Sequence, residues 1–354
     1  MGKKMRLLIF GAGPLGSLLA ARLHQGGQNV TLLARGQRLT ELRQYGVVLK
    51  NWTTNEEESI QVPLLENLAP EDRYDLVLVV MRKNKALGAL PTLAANCSPI
   101  FLFLMNTAAG LDALTDALGD DRVLTGFAGA AGYRDGHKVV YLNAEPARPA
   151  EIYLGEPSGE ITPRLKLIAT ELGEGHYLKP KITKAMDAWS KYHVALLFPA
   201  LATALYLCGN DNYRMARTRD AIVLAWRGIK EGYRVLRKLG VPVQPPVFKK
   251  FMWLPEPVIV AFLRKMLNNP RMEVGMVRHA EVIRDEIQQL NSEFLQLAEK
   301  SGVFIPTIRF LIAQFNIKAP AIADGSHSIK LDWSGIIIPF LILVLVGLFL
   351  GLVL

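Results

Sequence analysis

Gly11-Ala12-Gly13-Pro14-Leu15-Gly16 has the residue types and spacing to hold a diphosphate. In such a turn the first glycine permits tight geometry and the second leaves bare backbone for a pyrophosphate. The third lets a helix pack closely on a strand. Unpaired N–H groups at the start of that helix, together with its dipole, favour negative charge. Here the motif follows an apolar run, Arg6–Phe10, and precedes a helical pattern over 14–25, the context a nucleotide turn requires. A second apolar run, Asn29–Leu33, ends in Ala34-Arg35, with Gln37 and Arg38 just beyond. An acidic residue at this place binds the ribose hydroxyls of NADH. It would repel a 2′-phosphate, which a guanidinium grips with paired hydrogen bonds. Arg35 therefore makes NADPH the expected cofactor, held by Gly11, Gly13, Pro14, Leu15, Gly16 and Arg35.

The elements that must position these residues alternate. Strand-like runs at Arg6–Phe10, Asn29–Leu33, Leu76–Val80, Pro99–Leu104 and Val123–Phe127 are interleaved with helical patterns at 14–25, 84–95 and 107–118. That alternation predicts an α/β, Rossmann-type doubly wound parallel sheet over residues 1–180. Two further β-like runs, Lys138–Leu142 and Glu151–Leu154, are expected to extend it. From 181 to 317 the pattern is helical, with long runs at 184–207, 215–239, 256–268 and 274–300, and predicts an all-helical second domain. Residues 318–334, rich in small and polar types, read as a linker.

The remaining 335–354 carry no charged residue and end the 354-residue sequence. As a helix they would span roughly 30 Å, a bilayer's hydrocarbon thickness. We expect a transmembrane helix that anchors the catalytic body on the cytoplasmic face, with the lipid bilayer as partner. A helix buried in a homodimer is the alternative, and Gly347 and Gly351 have the GxxxG spacing that lets two helices approach.

Half of the residues are hydrophobic, part of the excess lying in this tail. The formal charge of +9 is uneven: between Arg214 and Lys250 ten basic residues face only Asp220 and Glu231. That suits solvated helix faces or attraction to anionic surfaces. Nucleic acid has no supporting motif. Cys97 and Cys208 stand far apart, with no metal-ligand or CxxC spacing, and fit a reducing compartment. The basic start followed by Leu7–Phe10 is too short an apolar run for a secretory signal.

Several segments are similar to one family. They are MRLLIFGAGPLGSLLAARL, Ala34-Arg35, Val80-Met81-Arg82-Lys83, Met105-Asn106-Thr107, Trp189-Ser190-Lys191 and Asp285 to Ser292, which begins Asp285-Glu286. Over about residues 5–315 the chain resembles the ketopantoate reductases (2-dehydropantoate 2-reductases). The resemblance implies reduction of a 2-keto acid, ketopantoate first, by NADPH. It makes Lys191 the proton donor to the substrate carbonyl and Glu286 the group that binds the substrate hydroxyl or orients Lys191. Arg82 would lie near the cofactor, and Asn106 between nicotinamide and substrate.

Departures accompany it. Ala195 stands where the family has a substrate-binding asparagine, with His193 nearby. Thr107 replaces a glycine, and Glu273 to Arg278 replaces a Ser-Met-x-x-Asp segment. Two other readings stay open: a membrane-tethered NADP-binding protein without turnover, and another 2-hydroxy-acid or opine-type dehydrogenase.

Overall fold

The computed structural model describes residues 4–317 and 322–337. The chain divides into two units. The first holds Met1–Lys191 and Val274–Glu293, the second Tyr192–Glu273 and Phe294–Leu354. The sequence boundary at 180 placed 274–293 with the helical half, whereas these residues cluster with the nucleotide-turn half.

In the first unit the strands are β1 (Arg6–Phe10), β2 (Asn29–Leu33), β3 (Val47–Asn51), β4 (Glu57–Ile60), β5 (Leu64–Leu65) and β6 (Leu76–Val79). They continue as β7 (Phe101–Leu104), β8 (Val123–Ala128), β9 (Gly132–Asp135), β10 (Lys138–Tyr141), β11 (Ala150–Gly155) and β12 (Leu178–Ile182). Eight of them form one sheet in the order β12-β11-β8-β7-β6-β1-β2-β5. Its pairs are parallel except β8 with β11. β1, β6 and β7 are near-continuous apolar runs because helices cover both faces of a parallel sheet. Successive side chains alternate between faces. Leu7 and Ile9 thus join Leu18, Leu19 and Leu23 of the helix Pro14–Gln25. Leu8 and Phe10 join Leu93 and Leu114 in the other layer.

The run at 138–142 does not extend this sheet. β10 pairs with β3 and β9 in a separate four-stranded sheet, β4-β3-β10-β9. Alternation of polar and apolar residues shows that such a run is half-buried, not which partner it will take. Arg22 joins the two layers from the Pro14–Gln25 helix, with its guanidinium 2.5 Å from the Tyr141 hydroxyl and 2.6 Å from Glu58.

In the second unit the helix Arg219–Lys238 is central. Any side chain at its Gly228 would meet Ala200 Cβ at 2.9 Å, and at Gly232 it would meet Ala195 O at 2.7 Å. The expected linker is bound to this unit rather than free of it. Asp220 accepts from the backbone N–H groups of Ser328 and Ile329, Arg217 pairs with Asp324, and Arg227 donates to Lys330 O. The expected helix over 274–300 is broken into a π-turn Glu273–Val277, a short helix Arg278–Val282 and the helix Arg284–Ser301.

Among the described residues no helix is long and apolar enough to cross a membrane. The expected span over 335–354 lies outside the described residues from 338 onward. Residues 334–337 are helical.

Candidate active site

The predicted positions Gly11 to Gly16, Arg35, Arg82 and Asn106 follow the carboxyl ends of β1, β2, β6 and β7 in the first unit, where open α/β sheets form their ligand crevices. Gly11 follows β1 with φ +127°, and a Cβ there would lie 2.5 Å from Val80 O. A Cβ on Gly16 would lie 1.8 Å from Gly11 O. Gly13 is different, since a Cβ there would meet no atom within 4 Å. It is the extended N-cap of the helix Pro14–Gln25 and provides no side-chain cap. Two glycines therefore close the turn and the third leaves bare backbone before an uncapped helix start, with Pro14 and Leu15 opening the helix. This cradle fits a diphosphate.

After β2, Arg35 is exposed at the N-cap of the helix Gly36–Tyr45, and its guanidinium lies 3.4 Å from Glu66 O. Arg38 is engaged elsewhere: it donates to Ala12 O, His137 O and Ser17 Oγ and pairs with Glu41. Burial lowers its guanidinium pKa from the ordinary value, against the raising effect of Glu41.

The loops after β6 and β7 are fastened to the helix Arg284–Ser301. Arg82 pairs with Asp285, and Asn84 donates to the same carboxylate at 2.8 Å. Burial pushes Asp285 up, yet Asn84 and the Arg82 charge outweigh it and hold the carboxyl below its usual range. Lys83 lies 2.7 Å from Thr107 Oγ1 and 2.7 Å from Glu293, which also accepts from the N–H groups of Ala108 and Ala109 at 3.0 Å. Between these fastenings Asn106 hydrogen-bonds the Glu286 carboxyl, which is buried. Burial raises the Glu286 pKa to about 7, with the Asn106 bond and the Arg82 charge opposing it. A carboxyl poised there exchanges a proton near neutral pH.

Asn106, Glu286 and Arg82 thus share one neighbourhood. Lys191 has a different partner from the Glu286 that the resemblance assigns. Its ammonium is 2.6 Å from Asp187, and both line a cavity of about 880 Å³ with Gly110, Thr115, Glu156 and Arg164. Trp189, two residues before it, lies 4.5 Å from the Phe127 ring and 5.1 Å from the Tyr153 ring, which sets that helix against β8 and β11. Lys83 and Glu293 escaped the sequence reading. The available signal was Glu293 at seven residues from Glu286, on the same helix face.

Residues 7–159 match the family of ketopantoate reductase PanE/ApbA. Over these residues the chain is similar to that family. A relative, the uncharacterized oxidoreductase YkpB of Bacillus subtilis (strain 168), is 26% identical over 252 residues, covering 68% of this chain and 78% of the relative. Among solved structures, a ternary D-mandelate dehydrogenase with NADH and anilino(oxo)acetate is similar with TM-score 0.72 and 16% identity. That alignment covers 89% of this chain and 98% of the other. The PanE/ApbA family ketopantoate reductase from Ralstonia eutropha JMP134 gives TM-score 0.69 at 19% identity, covering 89% and 98%.

Two departures from the family's pattern can be placed in the structure. Ala195, where the family has its asparagine, is fully buried against Gly232. Thr107, in place of the family glycine, gives its hydroxyl to the buried Lys83 contact.

Proposed function

We propose that the protein is an NADPH-dependent reductase of 2-keto acids, forming 2-hydroxy acids, with ketopantoate as the leading substrate. The pairing of Asn106 with a buried Glu286 near neutral pKa, beside an open diphosphate cradle, carries this reading. The bound nucleotide supplies hydride to the carbonyl carbon. Lys191, held 2.6 Å from Asp187, gives a proton to the carbonyl oxygen. Glu286 and Asn106 position the developing hydroxyl, and Arg35 binds the 2′-phosphate. Arg82 stands beside the cofactor and keeps Asp285 ionised. NADPH oxidation against a panel of 2-keto acids tests the reading.

Ala195 in the helix core removes one ketopantoate contact and favours a second reading, nucleotide binding without turnover. Tight NADPH binding with no oxidation by any 2-keto acid distinguishes the two.

We also propose, from sequence, that 335–354 anchors the chain in a bilayer with the catalytic body in the cytoplasm.

A further inference from the structure

The second unit carries an exposed apolar face. Trp253 is 88% exposed, Phe262 50% and Val258 47%, with Leu254 beside them. Val258 and Phe262 are four residues apart on one side of the helix Glu256–Leu267, where exposed Lys265 follows. The Phe251 and Phe262 rings, 6.2 Å apart, join that helix to the segment before it. In that segment Lys249 and Lys250 are exposed next to the aromatics, in the order Phe248-Lys249-Lys250-Phe251-Met252-Trp253-Leu254. A contiguous apolar patch rimmed by charge marks a surface that meets something.

What it meets follows from where the chain goes next. Residues 334–337 arrive at this same face: a Cβ on Gly335 would lie 3.3 Å from Pro255 Cα, immediately after Trp253-Leu254. Trp333, Ile336 and Ile337 are themselves 50%, 37% and 50% exposed there. The described chain ends at Ile337, and 338–354 continues with no charged residue. A tryptophan with flanking lysines beside the root of an uncharged run has the composition of a membrane interface, with the ring at headgroup depth and the ammonium groups on anionic phosphates.

We propose that Trp253, Leu254, Val258 and Phe262 lie on the surface of an anionic phospholipid bilayer, with Lys249, Lys250 and Lys265 contacting the headgroups. The inference rests on the proposed anchor at 335–354 and fixes which face of the second unit that anchor turns toward lipid.

The full-length protein, reconstituted in vesicles with acyl-chain-brominated lipids, tests it by tryptophan quenching. Phosphatidylcholine alone is compared with phosphatidylcholine plus phosphatidylserine. The wild type loses a fluorescence component that Trp253→Phe lacks, and loses more of it with phosphatidylserine. Trp253 is almost wholly exposed, so the variant keeps its fold, as an unchanged melting temperature verifies. Equal quenching of the two proteins while both float with the vesicles overturns the face and leaves the anchor standing. If flotation disappears in high salt, the anchor has failed. The face is then supported by salt-sensitive flotation on phosphatidylserine vesicles that Lys249→Ala/Lys250→Ala weakens by about 25-fold, some fivefold for each lysine. Absence of flotation at low salt overturns both. A dimer that Trp253→Ala converts to monomer, with no lipid quenching, also overturns the proposal, because a second copy then covers the face.

Discussion

Asn106, in the loop after β7, hydrogen-bonds the buried carboxyl of Glu286 on the helix Arg284–Ser301. The contact joins a strand end of the nucleotide-turn layer to a segment that reaches the same unit only after the chain has built most of the second one. Burial and hydrogen bonding oppose each other at this carboxyl, and burial wins.

Stability should record that outcome. The folded protein keeps the Glu286 proton up to about pH 7, whereas an unfolded chain releases it near 4.5. Between these values the folded state binds more protons, so stability falls as pH rises through the window and levels above it. The loss is about 3 kcal/mol across the window. Glu286→Gln has no such proton, so its stability relative to wild type should rise with pH. Urea unfolding of both proteins at several pH values checks this, and parallel curves would contradict it.

The nucleotide turn separates fold from binding. Gly16→Ala would press a methyl group onto Gly11 O and should destabilise the protein by several kcal/mol. Gly13→Ala meets no atom and has an extended backbone that alanine accepts, so its melting temperature should stay put. Its NADPH affinity should fall, because the methyl group occupies the approach to the helix start. Calorimetric titration shows this, and an unchanged affinity would remove Gly13 from the cradle.

Much of this arrangement was legible in the residues themselves. β1, β2 and the helix Pro14–Gln25 fall where the apolar runs and the glycine turn place them, because continuous apolar strands and a Pro at the helix start are local signals. The small sheet was not legible, since β3 and β10 find each other across a long stretch of chain and periodicity carries no partner information. For the same reason Asn106 and Glu286 could be named only by resemblance. The Lys83–Glu293 pair was not legible, and Arg38 proved to be a structural residue, because its partners come from the glycine turn and the helix after it, from His137 and from Glu41.

That last difference gives a contrast between two arginines. Arg35→Ala should weaken NADPH by at least about tenfold, or 1.4 kcal/mol, and leave NADH nearly unchanged. Arg38→Ala should instead lower the melting temperature, since it removes the hydrogen bonds to Ala12 O, Ser17 Oγ and His137 O together with the pair to Glu41. Parallel titrations and melts decide, and equal loss of both nucleotides in Arg35→Ala would refute the 2′-phosphate role.

Lys83 and Glu293 form a buried ion pair that also caps Ala108 and Ala109. Lys83→Met leaves the carboxylate without its cation and should cost about 3–5 kcal/mol. Adding Glu293→Gln should recover part of that loss by removing the stranded charge. Denaturant unfolding of the single and double variants measures this. A double variant no more stable than Lys83→Met would contradict the pairing.

The central claim is that a keto-acid carbonyl is reduced here. Its most direct test is the initial rate of NADPH oxidation by the full-length protein with a panel of 2-keto acids that includes ketopantoate, for wild type and Lys191→Ala. Wild type should turn over at least one 2-keto acid. Lys191→Ala should be slower by about 10²-fold, with NADPH affinity preserved. A wild-type protein that binds NADPH but oxidises it with none of the acids, or a Lys191→Ala variant at full rate, would contradict it.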